Sequence, residues 1–431
     1  MSPGRPLQMV AVILALGTAG CGKSSTSASS APAPPLIKVA YWGGPEEIAI
    51  IQGVIQQWQA QHPNVQVRLE HTPFSVYVSR LLTRMAGDIA PDIIATEANL
   101  FVNFWAKNAL LPLNRFIEQD PGFQLKDFFP EVLNRFTVEG QVYGIPRDTA
   151  PFACIYYNKR LFDEAGLAYP TDSWTTDDLL RASQKLTKRQ GDQITQYGFY
   201  AWAWQNFVYS FGGRIVDDLR HPTRCLLDSP DAIAGLQFYA DLMNKYHVAP
   251  TPVALGNLAM GAQQLFMGRR VAMFSSGIWE TPVLKQIKDF DWDVVMFPKG
   301  PNDVRAFGTG GTAYCILKSS PHPEIAWDVL KALAGAEGQR QLAKQGLIQP
   351  ANRVIAEGPD WADNGALPPA NKKMLNQAVQ YAVYDPFIPE WREIYELHIL
   401  PELDLVFNGQ QSAAEAVKKI VPKVNAALAG R

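Results

Sequence analysis

Residues 142–179, VYGIPRDTAPFACIYYNKRLFDEAGLAYPTDSWTTDDL, constrain the fold of this chain more than any other stretch. A strand-like start ends in Pro146, Arg147 and Asp148, and a second extended run, 152–157, follows at once. Asn158 is placed to cap a short helix that stops at Gly166. A Pro-containing loop then leads to Trp174, and Thr175 to Asp178 has the form of a capping box opening a further helix. An acidic residue, a chain crossing and two capped helices arrive in one compact order that suits few architectures.

The segments before this stretch alternate between strand and helix. Residues 36–42 are apolar and β-rich, and Gly43-Gly44-Pro45 opens a helix with Pro near its first position. Ile48, Ile51, Ile55 and Trp58 recur at helical spacing. Val65, Val67 and Leu69 alternate as a strand. Residues 77–85 predict a helix and 91–96 a third strand. Such alternation predicts a largely parallel sheet with helices on both faces. Ligands collect at the carboxyl ends of strands in such sheets, and Trp42-Gly43-Gly44 and Thr96-Glu97-Ala98 are two of those ends. Downstream, helices are predicted over 176–189, 232–246, most of 258–267, 324–334 and 413–428. Strands are predicted over 271–275, 292–297 and 313–318. An aromatic run covers 197–211, and no internal repeat is visible.

The chain has 431 residues, 47% of them hydrophobic and 19% charged, which suits a large globular core in two or three domains. A net charge of −2 gives no pull towards nucleic acid. Arg5, the apolar run 7–16 and the small residues before Cys21 look like a secretory leader of the bacterial lipoprotein type, with Cys21 the lipidated residue. Thr18 stands where that motif usually has Leu. Residues 22–35 read as a flexible tether, since 24–35 are only Ser, Ala, Thr and Pro. Gly17 to Ser24 matches the phosphate-loop pattern, but the tether follows where that motif needs a helix, so nucleotide binding is rejected. Cys154, Cys225 and Cys315 have no zinc spacing; Cys154 and Cys315 read as buried small hydrophobes, with one disulfide left open.

Six His are scattered singly, none at the spacing of a helical metal site, and no nucleophile elbow is present. Sequence thus offers no case for catalysis, a metal or a cofactor. Tyr143-Gly144-Ile145-Pro146, then Ile155 to Phe162, Glu164 to Leu167 and Ser173-Trp174-Thr175 resemble the extracytoplasmic solute-binding proteins of ABC sugar importers, the maltodextrin- and glycerol-phosphate-binding relatives. Pro91-Asp92-Ile93, Phe274 to Glu280, Gly310-Gly311 through Lys318, Pro323 to Trp327 and Trp391 match in the same order.

The resemblance implies an α/β, two-lobe periplasmic-binding-protein fold of type II. Each lobe would be a mainly parallel sheet flanked by helices, with ligand in the cleft. The first lobe would take 36–147 and 311–349, the second 148–310 and 350–431. Chain crossings are expected near 145–151, 307–312 and 348–353. Gly44, Glu46, Glu97, Asp148, Trp202, Trp204, Trp279, Glu280, Gly310, Gly311, Trp391 and Arg392 are the candidate ligand-binding residues. For Asp148 the alternative is a hinge salt bridge with Arg147; for Trp202, Trp204 and Trp391 it is a place in the core. A sugar or oligosaccharide ligand, an ABC permease, a monomer held to the membrane only by its lipid anchor, and no cofactor are expected. Within the family a phosphate ligand is the rival, and Glu97 and Asp148 argue instead for a neutral polyhydroxyl one. A secreted glycoside hydrolase would need two carboxylates at catalytic separation.

Overall fold

The computed structural model describes residues 34–363, 365 and 367–430. Cys21 lies outside them. The strands that build the frame are, in chain order, β1 (Leu36–Tyr41), β2 (Gln66–His71), β3 (Ile93–Glu97), β4 (Ile145–Pro146), β5 (Cys154–Asn158), β6 (Lys188–Gln190), β7 (Gln193–Ala201), β8 (Val271–Ser276), β9 (Trp292–Met296), β10 (Phe307–Gly308), β11 (Thr312–Ile316) and β12 (Ala382–Val383). One five-stranded sheet has the order β2-β1-β3-β11-β4 and a second has the order β9-β5-β8-β7-β6. Helices flank both, so the fold is the expected two-lobe α/β architecture.

The sheets are mixed rather than mainly parallel. β1 runs parallel to β2 and β3, but β11 is antiparallel to β3 and β4. In the second sheet only β7 and β8 are parallel, while β5 opposes both β8 and β9. The reason is connectivity. A strand reached by a helical crossover within its own lobe runs parallel, whereas β5 and β11 enter from the other lobe and run against their neighbours.

Local chemistry accounts for the elements after the first crossing. Asn158 accepts a 3.1 Å hydrogen bond from the Leu161 amide and caps helix Lys159–Glu164. Thr175 and Asp178 form a reciprocal capping box on helix Thr176–Leu186. That helix stops before the predicted 189, because Lys188–Gln190 turns back at Gly191 (φ +60°) and pairs with β7. It also packs against β7 so closely that a Cβ at Gly198 would lie 2.0 Å from the Ser183 carbonyl oxygen. Tyr156 stacks on Phe274 at 4.8 Å between ring centroids, joining β5 to β8 in the core. Cys154, Cys225 and Cys315 are buried free thiols, and burial pushes the ionisation of each upwards.

Candidate functional site

The carboxyl ends of the parallel strands from both sheets open onto one cavity of ≈ 720 Å³. Trp42, Gly43, Gly44 and Glu47 follow β1; Phe74 follows β2; Glu97, Asn99 and Leu100 end or follow β3. From the other sheet come Trp202 after β7 and Ile278 and Trp279 after β8. Strand ends present loops and open backbone groups, which is why ligands gather there.

Aromatic rings stand on both walls. Trp42 and Phe74 meet edge to face at 5.4 Å. Opposite, Phe152 packs edge-on against Trp202 at 4.8 Å and Trp279 at 6.0 Å. Phe74 and Trp202 remain 48% and 41% exposed, so apolar ring surface faces the opening. Trp279 owes its pose to Gly277, where a Cβ would come within 1.8 Å of the indole. Phe152 is held through its main chain, since Asn206 donates to the Phe152 carbonyl and accepts from the Gly308 amide, both at 2.8 Å.

Main-chain passages between the sheets form the floor. Asp148 bridges to Pro350, and Pro151 to Thr309. Arg147 donates to Asp148 at 2.8 Å and to Glu47 at 3.1 Å. The second Asp148 oxygen accepts from the Thr312 amide at 2.8 Å. Asp148 therefore lines the cavity but is occupied by the ion pair with Arg147, the alternative to a ligand contact. Burial raises the Glu47 carboxyl, with Arg147 working against the shift.

The sequence candidates divide clearly. Gly44, Glu97, Asp148, Trp202, Trp279, Gly310, Gly311, Trp391 and Arg392 line the cavity. Glu46, Trp204 and Glu280 do not. Glu46 points one helical step away and accepts a 2.8 Å hydrogen bond from Gln286. Trp204 is buried, its Nε1 donating to the Tyr395 hydroxyl at 3.1 Å, so it backs a lining residue. Glu280 turns inward, accepting from Ser276 at 2.6 Å and from Gln263.

Sequence reasoning missed Glu47, Phe74, Asn99, Phe152, Gln205, Asp385, Tyr395 and Glu396 as lining residues. The first four sit within a few residues of recognised strand ends or crossings, and extending each such end by one turn would have found them. Asp385 and its neighbours come from a late segment tied in by β12 pairing with β10, which carries no local motif. Glu97 is a lining carboxyl held well above its ordinary range. Burial, then Asp148 and Asp385, push it up to about 7, with Arg392 opposing.

A family model described as bacterial extracellular solute-binding protein matches residues 43–340. The chain belongs to that family. Bacterial extracellular solute-binding proteins of this kind are the non-catalytic substrate-binding components of ABC transporters. A putative binding protein of Brucella abortus is 22% identical over 87% of this chain and 89% of its own. The arabinooligosaccharide-binding protein of Bacillus subtilis is 24% identical over 77% of this chain and 76% of its own. An ABC substrate-binding protein from Listeria monocytogenes, solved in complex with cycloalternan, shares the fold at a TM-score of 0.82. It is 24% identical, over 92% of this chain and 99% of that one.

Proposed function

We propose that this solute-binding protein captures a sugar or oligosaccharide by lobe closure and hands it to an ABC permease from a lipid anchor at Cys21. The observation that carries the ligand class is the pairing of ring faces on both walls with carboxylates at strand ends. A sugar presents hydroxyls and an apolar C–H face; carboxylates and amides bond the former and indoles pack the latter. Relatives whose names specify oligosaccharides support the same class. The lobes divide at 147/148, 310/311 and 349/350, in accord with the bridges that run between the passages. Both lining guanidiniums, Arg147 and Arg392, are already paired with carboxylates, which disfavours a phosphate ligand.

The decisive experiment is titration with a carbohydrate panel, read by Trp fluorescence and thermal shift. Saturable stabilisation by at least one sugar supports the proposal. If no sugar or polyol stabilises the protein, the ligand class is wrong. Release of reducing sugar from polysaccharides would overturn the capture role.

A further inference from the structure

The cavity is short of positive charge. Its lining includes the carboxylates of Glu47, Glu97, Asp148, Asp385 and Glu396 against the guanidiniums of Arg147 and Arg392. Arg147 is occupied by Glu47 at 3.1 Å and Asp148 at 2.8 Å, and Arg392 by Glu396 at 2.9 Å. Glu97 and Asp385 make no ion pair among the described residues. The Arg135 guanidinium donates to the main-chain carbonyl of Asp385 at 2.8 Å, not to its carboxylate. What Asp385 does have is the Asn99 amide, whose Nδ2 donates to Oδ2 at 3.1 Å. Asn99 Oδ1 is buried with no donor, and the Glu97 side chain accepts no hydrogen bond from any described residue.

This side of the cavity is therefore rich in acceptors and poor in donors. A neutral sugar that closed it off would further desolvate two carboxylates whose opposing charges, Arg392 for Glu97 and Arg135 for Asp385, act at a distance and form no salt bridge with them, which is costly. A sugar hydroxyl donates one hydrogen; an ammonium donates three, accepts none and carries the missing charge. We propose that the ligand is a saccharide bearing a protonated amine, an amino sugar or a short oligomer of one, whose ammonium lies between Glu97 and Asp385. The inference rests on the sugar-binding reading above and narrows it. The neighbouring rings fit the same ligand, since an indole face attracts a cation as well as a C–H face. The upward shifts of both carboxyls have the same origin, burial with like charge close by in the case of Glu97.

The test is calorimetric titration of the full chain with glucosamine, N-acetylglucosamine and glucose, and with the same three substituents in the galacto and manno series. Each is used as the monosaccharide and as a matched short oligomer. The expected result is that the free amine binds about tenfold or more tighter than its hydroxyl and N-acetyl counterparts, as a desolvated charge pair would give. Glu97→Gln and Asp385→Asn should each shrink that ratio, and the ratio is unaffected by a general loss of folded protein. A hydroxyl or N-acetyl sugar binding as tightly as its amine overturns this inference and leaves sugar capture standing. Failure of every panel member to bind overturns this inference, and sugar capture falls with it only if the wider carbohydrate panel above also gives no stabilisation.

Discussion

At the scale of single residues, Glu97 and Gly277 carry distinct consequences. Burial and neighbouring carboxylates raise Glu97 from its ordinary 4.5 to about 7. The native state thus holds this proton more tightly than the unfolded chain. Its contribution to stability is complete below about 4.5 and is lost as pH climbs through about 7. The melting temperature of wild type minus that of Glu97→Gln should fall across that window and level off above it. A difference that does not move with pH would refute the shifted carboxyl. Gly277 acts by size. The Cβ of Gly277→Ala would lie 1.8 Å from Trp279, so the ring must leave its pose. Overpacking of this kind costs about 1–3 kcal/mol. We expect lower unfolding stability, an altered Trp emission spectrum and weaker sugar binding. Unchanged emission with unchanged affinity would show that Trp279 is not held by this contact. Trp279 was legible as the residue after a strand and a small-residue loop, but its dependence on Gly277 is a distance that only the folded chain contains.

At the scale of elements, caps separate stability from function. The capping box of helix Thr176–Leu186 uses only groups within one turn, which is why four residues of sequence announce it. Thr175→Ala should lower stability by about 1 kcal/mol in urea unfolding and leave ligand affinity unchanged. Loss of binding without loss of stability would contradict a purely structural cap. Gly198 lies under the same helix, and a side chain there would strike the Ser183 carbonyl. Gly198→Ala should therefore cost more than the cap, roughly 2 kcal/mol or above. The strands β1 to β3 and their helices were readable because each alternation is local. The parallel character of the sheets was overestimated because direction depends on which lobe a strand arrives from, and a strand's own residues say nothing of its origin.

At the scale of the whole molecule, the helix after β1 and the segment after β8 are joined by one hydrogen bond, Gln286 to Glu46 at 2.8 Å. These elements belong to different sheets, so the bond exists only while the lobes are close. Gln286→Ala should shift the balance towards an open form and weaken ligand affinity by no more than about tenfold, the worth of one hydrogen bond. Small-angle scattering should show a larger radius for the ligand-free variant than for wild type. Equal radii and equal affinities would mean the bond does not bias closure. Sequence by itself determined the fold class, the caps, the family resemblance and most of the cavity's glycines and tryptophans, because these depend on spacing, propensity and short motifs. Tertiary structure alone decided that Trp204 backs Tyr395, that Asp148 is held by Arg147 and Thr312, and that Asp385 faces the same space as Glu97. Glu97 and Asp385 are far apart along the chain, and whether a carboxylate finds a salt bridge is decided by everything around it in space.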